Sequence, residues 1–310
     1  MTVQKDIIVL FSYRSHKRGY IEMLFERLTK SAEGTDLQLF RGSLADLRVI
    51  IKNNSMSIIE SLTGRDLSAF NLVYFELWYK AQQQALASAR YLERKKVPYF
   101  SKEIYDILPI TKVGELAVLA DQSIPLPDTF ISSAREIKKI FKNNPPISYP
   151  LIVKAADGYG GKNNYLVGSY GKLRNTLDNN KGVQFVIQEF IPNICDYRCL
   201  VLGGRIALVL KRSRDLKGMS HLNNTSAGAV GEVVALDVLP KNAQDAVLKA
   251  AKVLNRSEFA GVDLMLHRDT NQPYILEVNQ TPQIEIGAEV DKKMFALLKY
   301  MQSRVGGSDA

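Results

Sequence analysis

Asp263, Glu277 and Asn279 are the residues of this chain best placed to do chemistry together. They lie in two short apolar runs, Gly261-Val262-Asp263-Leu264-Met265-Leu266 and Tyr274-Ile275-Leu276-Glu277-Val278-Asn279, separated by the polar stretch from His267 to Pro273. Both runs read as strands of one hairpin. Folded about Thr270, the hairpin puts Asp263 opposite Glu277 and Asn279 opposite Gly261, which has no side chain to obstruct it. Glu277 and Asn279 are two residues apart, so they project from the same face. Two carboxylates directly across a ladder repel each other, and the arrangement calls for a cation between them. Three hard oxygen donors with no Cys or His beside them suit Mg²⁺ (or Mn²⁺), which takes a few carboxylates plus substrate phosphates. A solvated hairpin face is the competing reading, and the apolar neighbours weigh against it.

A second group of residues could hold the phosphates. Asp157-Gly158-Tyr159-Gly160-Gly161-Lys162-Asn163 connects two expected strands, and its glycines Gly158, Gly160 and Gly161 let the backbone fold closely over an anion. The spacing matches neither the Walker A loop nor the Rossmann fingerprint. A plain turn is the alternative. Lys154 tips the balance, because it stands inside an apolar strand just before the loop, between Val153 and Ala155, where a lysine needs a partner. A phosphate oxygen would serve.

The elements that must position these residues come from a chain of 310 residues, 46% hydrophobic, long enough for two or three domains. No apolar run approaches the roughly 20 residues of a membrane helix, and Met1 to Leu10 reads as a first strand rather than a signal peptide. Cys195 and Cys199 are the only cysteines and the three histidines lie far from them, which fits a reduced, cytoplasmic protein. Cys199, on an apolar strand, reads as a small core residue. The net charge of +9 suits an acidic partner, an anionic small molecule or nucleic acid. No nucleic-acid module is recognisable, and aromatics do not interleave with the basic clusters. Of those clusters, Arg14, His16, Lys17 and Arg18 follow the first strand, where an α/β sheet presents its ligand crevice. Arg90, Arg94, Lys95 and Lys96 close a helix, as cations favour.

The first third alternates strand and helix. Strands are expected at Asp6–Phe11, Leu37–Phe40, Asn71–Leu77 and Val97–Phe100, with helices at Gly19–Lys30, Ser43–Asn53 and Trp78–Lys96. That alternation argues for a parallel, doubly wound sheet. Next come a helix at Thr111–Asp121, a strand at Leu126–Ile131 and a helix opened by the capping-box spacing Ser133 to Glu136. Strands Leu151–Ala155, Asn164–Val167 and Val183–Glu189 follow, with a helix before the last. The final region has strands Tyr197–Leu202 and Arg205–Arg212, helix Lys241–Leu254 and the acidic hairpin. The expected class is α/β with α+β subdomains. A Rossmann-like domain spans residues 1–108, a small subdomain with the glycine loop 109–190, and a C-terminal metal subdomain 191–304. A disordered Gly/Ser-rich tail runs from 305 to 310.

Five segments in order now carry a resemblance: Tyr149-Pro150-Leu151-Ile152-Val153-Lys154 with its glycine loop, Val186 to Ile191, Cys195 to Val201, Ala260-Gly261-Val262-Asp263 and Glu277 to Pro282. Together they resemble the RimK-like carboxylate–amine ligases of the ATP-grasp superfamily, over about Thr111 to Asp291. The resemblance implies ATP and Mg²⁺ as cofactors. It also implies that Lys112 and Lys154 contact phosphates and that the loop from Gly158 to Gly161 is a flap over them. Gln188, Glu189 and Phe190 fall at the adenine-reading hinge, and Asp196 near the ribose. Asp263, Glu277 and Asn279 match the metal ligands. Arg198, Arg212 and Asn224 are the catalytic candidates. The chain departs where Leu222 replaces a basic residue before Asn224, where Ser213 to Ser226 is longer, and where Thr281-Pro282-Gln283 replaces Ser-Pro-Gly. These changes border the acceptor site. The implied activity joins an amino acid to a peptide, protein or small acidic acceptor through an acyl phosphate, and self-association is left open. A regulatory Mg-ATP-binding protein without ligation is the alternative.

Overall fold

The computed structural model describes residues 4–12, 18–52, 55–105, 112–132, 134–156, 163–213 and 230–306. The chain opens with β1 (Lys5–Phe11), α1 (Arg18–Ser31), β2 (Leu37–Ser43), β3 (Arg48–Lys52), β4 (Ser55–Ile59), β5 (Leu72–Glu76) and α2 (Gln82–Lys95). Strands β2, β1 and β5 form a parallel sheet in that order. Ile7, Val9 and Phe11 pack beneath Ile21, Leu24 and Leu28 of α1. Ile8 and Leu10 point the other way, to Ala85, Ala89 and Leu92 of α2. A strand covered on both faces has no polar side to show, hence its unbroken apolar run. The doubly wound expectation holds.

Three local expectations for this region do not hold. Ser43–Asn53 is not a helix. A short 3₁₀ turn at Leu44–Asp46 leads into an antiparallel hairpin of β3 and β4 with Arg48 opposite Ile59. The β-branched run Val49-Ile50-Ile51 favours extended backbone. Val97–Phe100 makes only a single bridge, Tyr99 to Val73, because Pro98 has no N–H to extend the ladder. The helix expected from Trp78 begins at Gln82, after a 3₁₀ turn that follows Leu77 in the left-handed region at φ 53°.

The middle of the chain carries α3 (Lys112–Asp121), β6 (Thr129–Ile131), α4 (Ala134–Asn143), β7 (Leu151–Ala155), β8 (Asn164–Val167), α5 (Tyr170–Asn179) and β9 (Phe185–Glu189). Its antiparallel sheet has the order β6-β9-β7-β8. β6 is shorter than expected, since Pro125 and Pro127 keep the preceding residues out of the ladder. Leu151, Val153, Phe185 and Ile187 face Phe141 of α4 and Leu173 of α5. Strand alternation therefore turns Lys154 to the opposite face.

The last region holds β10 (Cys195–Leu202), β11 (Arg205–Ser213), β12 (Val230–Val234), α6 (Lys241–Val253), β13 (Phe259–Leu266), β14 (Pro273–Asn279) and α7 (Val290–Val305). Its antiparallel sheet has the order β12-β11-β10-β13-β14. One face, with Cys199, Val262, Leu264 and Val278, packs on Val247, Ala250 and Ala251 of α6. Both cysteines are buried and free. On the other face, Leu200, Leu202 and Phe259 share a core with α1, α7 and the parallel sheet. Phe100 stacks on Phe259 and Tyr300 there, with ring centroids 5.4 and 5.5 Å away. The tail does not begin at residue 305: Val305 is buried in the last turn of α7, whose apolar positions 290, 294, 297, 298, 301 and 305 follow helical spacing. Among the described residues, no helix is long and apolar enough to cross a membrane.

Candidate functional site

The hairpin of β13 and β14 has the register its sequence implies, with Asp263 opposite Glu277 and Gly261 opposite Asn279. Just beyond, a bulge pairs Leu264 with Ile275 rather than Leu276. A bulge re-aims the side chains that follow it. Here it lets Ile275 and Val278 both enter the core under α6 while Glu277 and Asn279 stay on the opposite face. Gly261 has a second role besides clearing space: a Cβ there would lie 2.6 Å from Pro282 Cβ, so glycine lets the segment after the hairpin close over the sheet. Asn279 donates from Nδ2 to the Gly261 carbonyl at 3.2 Å, which leaves its Oδ1 available.

The cations beside the carboxylate pair are, in the first place, arginines. Arg198 grips Asp263 with two bonds, Nε to Oδ1 at 2.7 Å and Nη2 to Oδ2 at 2.8 Å. Arg212 reaches the same Oδ2 from Nη2 at 3.3 Å and binds Asp196 Oδ1 from Nε at 2.5 Å. All four come from β10, β11 and β13, adjacent strands that set them side by side on one face. Burial alone would raise the Asp263 pKa, but Arg198 and Arg212 hold it down at about 2. Burial pushes Asp196 up to about 6 against the pull of Arg212. A carboxylate offers about four lone-pair positions, and the arginines use three of those on Asp263.

Lys154, on the face of the four-stranded sheet turned away from α4 and α5, stands near enough to feel the charges of this cluster. Burial lowers its pKa to about 8, with Glu277 and Asp263 pulling it up and Lys112 pushing it further down. So Lys154 and Lys112 stand close enough to repel each other and close enough to Glu277 to feel its charge. In the segment expected to form the hinge, Gln188 is buried and donates to Thr129 Oγ1 at 2.9 Å. The Glu189 carboxylate accepts from the Asp128 N–H at 3.0 Å, and the Phe190 N–H reaches the Pro150 carbonyl at 3.3 Å. Gly158, Gly160, Gly161, Asn224, Arg14, His16 and Lys17 lie outside the described residues. Arg18 opens α1.

Two features carry little signature in the local sequence. Arg256, buried in the turn before β13, donates to the Val278 carbonyl at 2.5 Å and to Glu115 Oε1 at 2.7 Å. It thus ties β14, which carries Glu277 and Asn279, to α3, which begins at Lys112. In the second, buried Glu76 accepts from the hydroxyls of Tyr20 (3.0 Å) and Tyr74. Glu285, also buried, feels Glu76 and Tyr20, and its Oε1 has no partner among the described residues. Burial, reinforced by Glu285, lifts Glu76 to about 7. Beside them Lys293 donates to the carbonyls of Gln283 (3.2 Å) and Ile286 (2.7 Å), and burial lowers it to about 8. A carboxylate closing the apolar strand Leu72-Val73-Tyr74-Phe75 is the one hint the sequence offers.

A divalent ion fits part of this donor set. Glu277 and the Oδ1 of Asn279 are hard oxygens on one face, and Mg²⁺ is commonly held by one or two carboxylates plus substrate phosphates. Asp263 can add at most its remaining lone pair. Among the described residues, no group of three or more His, Cys, Asp or Glu side chains forms a ready-made metal cage.

Comparison with known proteins follows the same lines. Residues 111–298 match the RimK-like ATP-grasp domain. The ribosomal protein bS6–L-glutamate ligase of Salmonella paratyphi B is 30% identical over 179 residues, 56% of each chain. The matched region thus spans about half the length of the curated relatives. Among solved structures, the D-alanine–D-alanine ligase of Bacillus anthracis complexed with ATP superposes with a TM-score of 0.65 at 16% identity, covering 97% of each chain. A RiPP-associated ATP-grasp ligase of Chryseobacterium gregarium, in complex with ADP and a leader and core peptide, gives 0.61 at 14%, covering 94% of this chain and 96% of that one. At such identities the likeness is one of fold.

Proposed function

This chain belongs to the RimK-like ATP-grasp family, and from that premise we propose that it is an ATP-dependent carboxylate–amine ligase joining an amino acid to a peptide or protein. The observation that carries this reading is the meeting of two sheets. Lys154 of β7 feels the charges of Glu277 on β14 and Asp263 on β13, and that of Lys112. Cations from one sheet and oxygen donors from the other are what a metal-bound triphosphate needs on its two sides.

In the proposed reaction a carboxylate oxygen attacks the γ-phosphorus of ATP. The bond to the β-phosphate oxygen breaks and ADP leaves. The amine nitrogen of the second substrate then attacks the acyl carbon, inorganic phosphate leaves, and the amine gives up a proton. Lys112 and Lys154 hold the phosphates. Glu277 and Asn279 hold Mg²⁺, which neutralises phosphate charge when bound. Arg198, whose side chain is 21% exposed, can extend its remaining N–H groups to the acyl phosphate. Arg212, with a side chain only 4% exposed, acts through Asp263 and Asp196 as a positioning residue. By the family resemblance, Gln188, Glu189 and Phe190 would read adenine, the loop of Gly158, Gly160 and Gly161 would act as the flap, and Asn224 would join Arg198 and Arg212 in catalysis. The protein's part is placement and charge neutralisation.

The test is ADP release with Mg-ATP across single amino acids, glutamate included, paired with acidic peptides, followed by mass spectrometry. The ligase reading expects acceptor-dependent ADP and a product heavier by one amino-acid residue. ATP binding with no acceptor-dependent ADP would favour a regulatory nucleotide-binding protein instead.

A further inference from the structure

Between α1 and α7 runs a groove of about 1130 Å³. Its floor is Met294 and Leu298, both buried, and its walls include Ile286, Val290 and Phe295. Phe295 is 69% exposed. A phenylalanine left largely in water forgoes the gain of burial, and an apolar groove inside a polar rim suits an interaction partner. The volume exceeds the roughly 300–1,000 Å³ that encloses a drug-sized ligand, so a single amino acid would leave most of it empty. Several residues of a polypeptide would fill it.

The rim says which kind of polypeptide. Arg27 and Lys30 line the α1 side; on the α7 side stand Asp291 and Lys292, the latter ion-paired with Glu289 at 3.0 Å, so the excess of positive charge comes from α1. Such a rim attracts acidic segments and repels basic ones. The groove is also tied to the site through one chain segment. Ile286 and Gly287 belong to the segment that packs Pro282 onto Gly261 beside Arg198. Arg27 holds that segment by the Glu285 carbonyl, and Lys293 of α7 holds it at Gln283 and Ile286.

We propose that the α1–α7 groove docks the acceptor polypeptide through an acidic segment anchored by apolar side chains, one of which packs on Phe295. This deepens the ligase reading and rests on it for the word acceptor. Docking itself is measured without ATP and so stands or falls separately. A random 12-residue phage library is selected against the full chain and, in parallel, against the Phe295→Ser/Lys30→Glu variant. Enriched sequences should combine Asp or Glu with Leu or an aromatic residue, and a synthetic peptide from the selection should bind the variant at least about tenfold more weakly. A non-hydrolysable ATP analogue should bind both proteins equally, and the peptide, used as acceptor, should show a raised KM with kcat little changed. No enrichment, enrichment of basic sequences, or equal binding by the variant overturns the proposal. A wild-type dimer that the variant converts to monomer in light scattering also overturns it, because a second copy would then occupy the groove.

Discussion

Two buried clusters of acids differ in one respect, their partners. On the neighbouring strands β10 and β13 of the five-stranded sheet, Asp263 is 8% exposed and Asp196 4%. Where the parallel sheet meets the segment after the hairpin, Glu76 is 2% exposed and Glu285 1%. Burial raises the cost of a charge in both places. Yet Arg198 and Arg212 hold Asp263 down at about 2, whereas burial lifts Glu76 to about 7. Asp263 receives two hydrogen bonds from Arg198 and an ion-pair contact from Arg212, whereas Glu76 receives two phenols and faces a second acid. Asp196, with one guanidinium bond, lies between them at about 6. The partner, more than the depth, sets which protonation state the fold supports. The first cluster keeps its charges at neutral pH, next to the proposed phosphate site. The second sits where a proton is easily held.

Removing the shared partner should break the first cluster outright. Arg212→Met takes from Asp196 the guanidinium that binds it and weakens the hold on Asp263, and stripping one member of a buried ion pair typically costs about 3–5 kcal/mol. Urea unfolding should register a loss of that order, and a change under 1 kcal/mol would mean the arginine is not holding the cluster. Arg212→Lys should recover only part, because an ammonium cannot fork to two carboxylates.

Glu277 sharpens the contrast from the other side. It stands opposite Asp263 but receives no arginine bond among those described, so its role should be in turnover rather than in holding the fold. Glu277→Gln is expected to lower kcat by about 10²–10³, the range seen when one electrostatic group at a reacting centre is lost, with thermal stability unchanged or slightly raised as repulsion is relieved. A variant that turned over normally would remove Glu277 from the metal set.

Glu76 probes the second cluster through pH. Its pKa is raised by burial from 4.5 to about 7. The folded state therefore keeps a proton that the unfolded chain releases, and stability falls as pH rises from about 4.5 to 7. The shift corresponds to at most about 3 kcal/mol at 1.36 kcal/mol per unit. Glu76→Gln should remove this dependence, so its melting temperature should exceed that of wild type at pH 8 and converge with it near pH 4.5. Parallel pH profiles for the two proteins would contradict the assignment.

The clusters also mark how far the sequence could be read. Neighbouring-strand geometry was legible: the register of Asp263 on Glu277 follows from counting residues about Thr270, and β1, β5, β7 and β10 follow from apolar runs. The bulge at Leu264 was not, because packing of Ile275 under α6 decides it. The hairpin of β3 and β4 was misjudged, since its short apolar run suits either helix or strand and only its partner strand settles the matter. Arg198 and Arg212 could be singled out, but not their grip on Asp263, which depends on three strands lying side by side. Arg256 and Glu115 lie 141 residues apart, and Glu285 meets Tyr20 only when α1 packs near the segment after the hairpin. No local pattern encodes such pairs. Helix α7, by contrast, carries full helical periodicity and was legible in principle.

The central claim is that the face shared by the four-stranded and five-stranded sheets binds Mg-ATP, with Lys154 on the phosphates. Calorimetric titration of a non-hydrolysable ATP analogue into wild type and Lys154→Met, with and without Mg²⁺, tests it most directly. A bond from a charged group contributes about 1.5–3 kcal/mol, so affinity should drop at least about tenfold in the variant. Wild-type binding should depend on Mg²⁺, and the melting temperature of the unliganded variant should be equal to or above that of wild type, because burial disfavours the lysine charge. Equal affinity of the two proteins for the analogue would contradict the account.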